Sequence, residues 1–512
     1  MPHLSHVSRR TLLQHLATAT VTAVAVGGTM SRLHPPGSAV PAAAPSARQG
    51  RGIVDLAVPV PGGNPRSAAV SMWAQAYTPA SGIASTAATV RPRDAMDRVA
   101  QEYHGQHPGT LIEMVKKPES IPDRLWLEAG QAGGTIPHIV QSPAQEIDGD
   151  INRQVRGWWV PLDAALNEPN PYVTAGEAGS QHWIDQFYPH PTSTRRAVDG
   201  HIYVVPYDLT TSLFYYNRAL FKKAGIESEP KTWADLIAAC SHLKEAGVVP
   251  LAQPGPSDVQ VGAMILEDVT QQVHPGTGPV SQADVACAIK KKVYDPLSSP
   301  YADWMRVLQS MAAFYPSDWS QPAVGAARRF SMGQVAILED WTPRWGSLKA
   351  DPTVEFEWGT FYCPTVTKET SQYAIGITAP PLGGPTTQWA VTSTADKAGV
   401  VDLAVDFLRF LCVPQFASMV ISELGDYLPN IRQIDVPSLL AAPFRAISEG
   451  YGESSVFLSP SLVSQEASKK VEDAWVRLRL GQATLQDTQD TVSKILNDAS
   501  AADIKVNDWH CG

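Results

Sequence analysis

The chain has 512 residues, 44% of them hydrophobic and 18% charged, with a formal net charge of −10. That length supplies at least two cores at roughly 100–200 residues per domain, and the acidic balance argues against nucleic acid, whose phosphates are held by basic patches. The five cysteines (240, 287, 363, 412 and 511) are scattered, odd in number and without a C-x-x-C pair, so they outline neither a metal site nor a dense disulfide framework; one bridge has room to form, and the spacing does not say between which two.

In chain order, Arg9 and Arg10 directly precede an uncharged apolar stretch from Leu12 to Val26. It is shorter than the ~20 residues a membrane-spanning helix needs. Paired arginines, a modest apolar core and small residues ending near Ala42-Ala43-Ala44 read as a twin-arginine-type signal peptide over 1–44. The rival is an uncleaved N-terminal anchor. Export to the periplasm or the cell surface is expected. Residues 1–44 hold three arginines and no acid, so the remainder is more acidic still. A Pro/Gly/Ala/Ser-rich flexible tether follows over 45–67.

Ala69–Gln75 reads as a strand. Met96, Val99, Ala100 and Tyr103 share one face of a helix, and Leu111–Val115 and His138–Val140 are further strands. Thr232 and Asp235 form a helix-start box, after which Trp233, Leu236, Ile237, Cys240 and Leu243 make an amphipathic stripe ending at Gly247. Val400, Leu403, Phe407 and Leu411 repeat the pattern before Pro414. Near the end, Val471, Trp475 and Leu478 lead to Gly481, and Thr484 with Asp487 caps a last helix. Short strands alternating with helices mean an α/β protein.

The middle of the chain carries the most specific pattern. Residues 205–226, VPYDLTTSLFYYNRALFKKAGI, run into Pro230-Lys231-Thr232-Trp233. Further on come Arg329–Ile337 followed by Trp341, Trp358-Gly359 through Cys363-Pro364, Gly383-Gly384 with Trp389, Leu424–Pro429, and Leu480-Gly481-Gln482. In this order, over roughly 68–500, they resemble the family 1 extracellular solute-binding proteins, which include the maltodextrin binders. Departures are a longer loop from Pro79 to Val90, and Ser142 and Gln145 where maltodextrin binders carry an aromatic and a carboxylate.

The resemblance implies a periplasmic-binding-protein type II fold, two α/β lobes closing on a ligand held in the cleft between them. The N-terminal lobe is expected over 68–208 plus 392–440 and the C-terminal lobe over 209–391 plus 441–512. Chain crossings are expected near Tyr207–Thr210, Gly384–Val391 and residues 440–445. The function implied is capture of a small ligand for the permease of an ABC importer, a mono- or oligosaccharide in the first reading and a non-sugar solute in the alternative one. No cofactor or metal is implied, and the chain is expected to act as a monomer.

Sugar rings present flat C–H faces edged by hydroxyls, so a sugar site needs aromatic platforms and planar polar groups. Candidates follow strand ends, where α/β sheets open their ligand crevice. They are Trp73 and Gln75 after the first strand, Ser142 and Gln145 after the His138–Val140 strand, Tyr207 and Asp208 at the first crossing, Asp340 and Trp341 after Val335–Leu338, and Gly383 and Gly384 at the second crossing. Trp158 and Trp159 read as core. His104 and His107 read as a solvated turn. No H-E-x-x-H, G-x-S-x-G, P-loop or G-x-G-x-x-G run occurs. The rival from another class is a secreted glycoside hydrolase, whose paired carboxylates would be residues such as Glu339 and Asp208.

Overall fold

The computed structural model describes residues 68–511, apart from 75–76, 78–92, 119–120, 144–156, 190–191, 193–196, 198, 253–256, 274–281, 321–324, 377–382, 385–386, 425–427 and 449–464. Gln75, Gln145, the twin-arginine segment and the tether lie outside the described residues. The strands are β1 (Ala68–Trp73), β2 (Thr110–Met114), β3 (Ile139–Pro143), β4 (Val204–Pro206), β5 (Thr210–Asn217), β6 (Val249–Leu251), β7 (Val335–Trp341), β8 (Trp358–Phe361), β9 (Gly383–Gly384) and β10 (Thr387–Val391). The longer helices are α1 (Ala95–Gln106), α2 (Asp123–Gly133), α3 (Trp233–Glu245), α4 (Ser257–Ile265), α5 (Gln282–Lys290), α6 (Ser299–Met311), α7 (Pro343–Ala350), α8 (Val401–Leu411), α9 (Pro414–Leu424), α10 (Ala441–Ser448), α11 (Gln465–Arg479) and α12 (Leu485–Asn507).

Two sheets form, one per lobe. The first runs β2-β1-β3-β10-β4, and the second β6-β7-β5-β8 with β9 also on β5. In the first, β1 is parallel to β2 and β3, while β10 is antiparallel to β3 and β4. Its core joins Val70 and Met72 to Val99 and Tyr103 of α1 and to Phe407 and Leu411 of α8. The second core joins Phe214, Tyr216 and Ile337 to Trp233, Leu236 and Leu243 of α3, Trp304 of α6, Val471 and Trp475 of α11, and Val492 and Leu496 of α12.

Local chemistry accounts for the element starts. Thr232 accepts from the Asp235 N–H at 3.2 Å while Asp235 accepts from the Thr232 N–H at 2.8 Å, a reciprocal cap that begins α3. Thr484 and Asp487 do the same for α12. Gly247, at φ +71°, takes the left-handed turn that stops α3. One disulfide, Cys287–Cys511, ties α5 to the chain just past α12, while Cys240, Cys363 and Cys412 are buried thiols.

Three expectations need correcting. β9 pairs with β5 of the second sheet while all of β10 lies in the first, so the chain is already in the first lobe at Thr387 and does not enter it as late as Val391. Leu428 packs with Leu209, Leu213 and Tyr215, but Ile431 and Ile434 return to the first core and Val436 and Leu440 to the second, so the third crossing lies between 434 and 436 and not at 440–445. His107 is not a solvated turn residue. It stacks on Tyr103 at 4.3 Å, and its Nε2 lies 3.0 Å from the Tyr172 hydroxyl, which donates to Asp406 at 2.6 Å. Trp159 is 2% exposed in the first lobe's core, as expected. Among the described residues no helix is long and apolar enough by itself to cross a membrane, and no acidic, His or Cys cluster is arranged to hold a metal ion.

Candidate ligand-binding site

β1, β2, β3 and β4 point the same way, so their carboxyl ends share one edge of the first sheet. β4 passes into β5 through Tyr207, Asp208 and Leu209, which brings the Thr210 end of β5 to that edge. β7 runs antiparallel to β5 with Trp341 opposite Ser212, so β7 ends there too. The carboxyl edge of one sheet therefore meets a strand end of the other, the place where α/β sheets open a ligand crevice.

The first crossing is hydrogen-bonded to the segments beside it. The Tyr207 N–H donates to Thr387 O at 2.9 Å, Leu209 N–H to Leu428 O at 2.7 Å, and Asn430 N–H to Tyr207 O at 3.1 Å. Asp208 Oδ1 accepts from the Thr387 N–H at 2.6 Å, and Asn430 Nδ2 donates to Pro206 O at 2.9 Å. A buried carboxylate held by a backbone N–H fixes two crossings with one side chain.

On the second sheet, strand pairing sorts the side chains by face. Ser212, Phe214 and Tyr216 share a face with Trp341, Glu339 and Ile337, while Leu213 and Tyr215 share the other with Asp340 and Leu338. Trp341 is 37% exposed, and its carbonyl accepts from the Tyr215 hydroxyl at 3.1 Å. Asp340 pairs with Arg344 of α7 at 2.7 Å. Thr342 Oγ1 lies 2.9 Å from Thr210 Oγ1, closing the strand ends together.

The nominated residues divide accordingly. Trp341 and Asp340 stand at the junction, and Gly383 and Gly384 pair there with Thr211 and Thr210. Ser142 is fully buried at the end of β3, opposite Gln388. Trp73 ends β1 at the right edge, yet it is 2% exposed with its ring 5.2 Å from that of Trp126, so it serves the core. Tyr207 is fully buried, its hydroxyl donates to Leu411 O at 3.1 Å, and burial pushes its phenol well above the ordinary value; it is a core and crossing residue. Asp208 is fully buried and engaged at the crossing. A cavity of about 700 Å³ lies elsewhere, around Tyr216, Arg218 and Tyr362. Within it the Tyr216 hydroxyl is already taken up by Glu229 at 2.8 Å, and the cavity lies away from the lobe crossings, so the junction is the candidate site.

A family model described as bacterial extracellular solute-binding protein matches residues 94–415. The chain belongs to that family. Among curated relatives, the sn-glycerol-3-phosphate-binding periplasmic protein UgpB of Shigella flexneri is 40% identical over 80 residues, 15% of this chain and 18% of that protein. The same protein of Escherichia coli strain K12 is 39% identical over 80 residues, again 18% of its length. This chain thus spans under a fifth of the curated relatives it matches. Among solved structures, a chitin oligosaccharide binding protein aligns with TM-score 0.56 at 19% identity, covering 85% of this chain and 99% of that one. RafE from Streptococcus pneumoniae aligns at 0.56 and 16%, covering 86% and 100%. A family 1 extracellular solute-binding protein from Bifidobacterium longum subsp. infantis aligns at 0.57 and 16%, covering 85% and 99%. At such identities the likeness is one of fold, and the fold is that of a two-lobed solute-binding protein.

In this solute-binding protein the sequence reading missed Ser212 and Gln260. Ser212 Oγ donates to Gln260 Oε1 at 3.4 Å, beneath the end of the sheet that carries Trp341. In the sequence Glu339 stands out only as half of a candidate hydrolase pair. The signal available was spacing, since residues 339 and 341 must share a face once β7 is recognised as a strand.

Proposed function

We propose that this protein captures a sugar at the junction of its two lobes and delivers it, by lobe closure, to the permease of an ABC importer. The observation that carries the reading is Trp341. Trp183, Trp233, Trp304 and Trp389 are all under 2% exposed, whereas Trp341 is 37% exposed at a strand end facing the lobe crossings. An indole left open at a ligand crevice is a platform for the C–H face of a sugar ring. A ligand touching both lobes binds the closed arrangement better than the open one, so its affinity shifts the equilibrium between them.

The names of the relatives supply two ligand chemistries, oligosaccharides and a glycerol phosphate. The open indole favours the first. Asp208 and Glu339 do not favour a hydrolase, because Asp208 is committed to the Thr387 N–H in the crossing. A thermal-shift screen of the purified protein against mono- and oligosaccharides tests the reading: a bound sugar raises the melting temperature, and the same sugar is recovered intact after prolonged incubation. A screen in which no sugar raises it, or recovery of cleaved products, would overturn the proposal. Export by the twin-arginine route is tested by changing Arg9 and Arg10 to lysine, which should hold the precursor in the cytoplasm. Normal export of that variant would remove the route.

A further inference from the structure

Gln260 of α4 is 1% exposed. Its Oε1 accepts a long, 3.4 Å hydrogen bond from Ser212 Oγ. Nε2 then carries two N–H groups with no acceptor among the described residues. Folded proteins keep few buried donors without a partner, because burial strips away water and returns nothing. Ser212, which holds the amide, lies directly across from Trp341, and Glu339 lies two residues before Trp341 on the same sheet face. Glu339 is 7% exposed, and its charge helps burial to raise the thiol pKa of Cys363. An open indole, a buried carboxylate and a buried orphan donor thus adjoin at one end of one sheet face.

We propose that Gln260 and Glu339 form a hydroxyl-reading pair beside Trp341, one that admits neutral polyhydroxy ligands and rejects phosphorylated ones. This rests on the sugar-capture reading above and adds the charge class of the ligand. A hydroxyl is both donor and acceptor. It accepts from Gln260 Nε2 and donates to the Glu339 carboxylate, with its ring laid on Trp341. A phosphate monoester offers acceptor oxygens and about −1.5 to −2 charges at neutral pH. It satisfies Nε2 but opposes Glu339, and the nearby Arg344 is already paired with Asp340 at 2.7 Å. Such a like-charge opposition discriminates through the unwanted ligand.

Calorimetric titration and thermal shift of the full chain test this with matched probes: raffinose and diacetylchitobiose as neutral ligands, and the pairs glucose with glucose 6-phosphate and glycerol with sn-glycerol 3-phosphate. A neutral probe is expected to bind, with any phosphorylated counterpart at least about a hundredfold weaker. Glu339→Gln preserves shape and removes charge; it should weaken the neutral probe about tenfold and narrow the gap to the phosphorylated one. Gln260→Leu should weaken the neutral probe while leaving that gap wide, and it answers the question should Glu339→Gln fail to fold. A phosphorylated probe bound as tightly as its neutral partner, or affinities unchanged in both variants, overturns the hydroxyl-reading pair and leaves ligand capture standing. If no probe binds, the sugar reading falls and this inference with it.

Discussion

Trp341 exposes a large apolar surface at the lobe junction, and the expected cost of removing it follows from its area. Trp341→Ala should weaken sugar binding by about 1–3 kcal/mol, the value of one buried aromatic face, or tenfold to a hundredfold, with the circular dichroism spectrum unchanged. Unaltered affinity in a titration would take Trp341 out of the site. His138 carries a different expectation. The Ser71 N–H donates to its Nδ1 at 3.1 Å and its own N–H donates to Ser71 Oγ at 3.1 Å, so Nδ1 must stay unprotonated. Burial lowers the His138 pKa below its ordinary 6.5. The unfolded chain therefore binds this proton more readily than the folded one, and the stability His138 contributes is complete above about pH 6.5 and is lost as pH falls below it. His138→Asn keeps an acceptor without the titration. Its melting temperature should fall less between pH 7 and pH 5 than the wild type's, and equal slopes would contradict the assignment. At this scale the sequence marked both Trp341 and Trp73 at strand ends, but it did not separate an exposed indole from a buried one. Both end strands at the same edge, and only packing against Trp126 decides that Trp73 is core.

Elements were legible in proportion to how one-sided they are. Met96, Val99, Ala100 and Tyr103 all point inward on α1, and both capping boxes form as their spacing predicts. β5 and β10 gave no such signal. Every residue of each is buried, and a strand covered on both faces has no alternation to read. β5 was approached only through its resemblance to a family pattern, and β10 was assigned to the wrong lobe. The disulfide belongs to this scale as well. It closes a separation of 224 residues, for which the chain-entropy limit is about 5 kcal/mol. Val492 and Leu496 anchor α12 in the core while Val506 near its end is 81% exposed, so part of the loss should appear as fraying. Cys511→Ser is expected to lower the melting temperature and to speed hydrogen exchange most in the last turn of α12. An unchanged melting curve under reducing conditions would show that the bridge contributes nothing.

At the scale of the molecule the two-lobed plan was readable because motifs recur in a fixed order over hundreds of residues. The boundaries were less so, because crossings are set by pairing between distant segments such as Tyr207 with Thr387 and Leu209 with Leu428. The proposed closure makes a solution measurement decisive. Saturating ligand should reduce the radius of gyration in small-angle scattering while far-UV circular dichroism stays the same, since a hinge absorbs its change in a few residues. Identical scattering curves with binding proven independently would mean that the lobes do not move.

The crossings themselves limit what that motion is. The 207–209 crossing lies between two neighbouring segments, bonded to Thr387 on one side and to Leu428 and Asn430 on the other, which makes a strap three strands wide, about 10 Å at the usual strand spacing. A single strand between two bodies bends and twists alike. A strap bends readily across its width but resists twisting, because twist would shear the hydrogen bonds that join its strands. Asp208 adds a side-chain rivet between two of the three. The proposed opening and closing would thereby be confined to something near one degree of freedom, like a door on a wide leaf hinge. A ligand longer than the gap has one way to be accommodated, by projecting out of the open side.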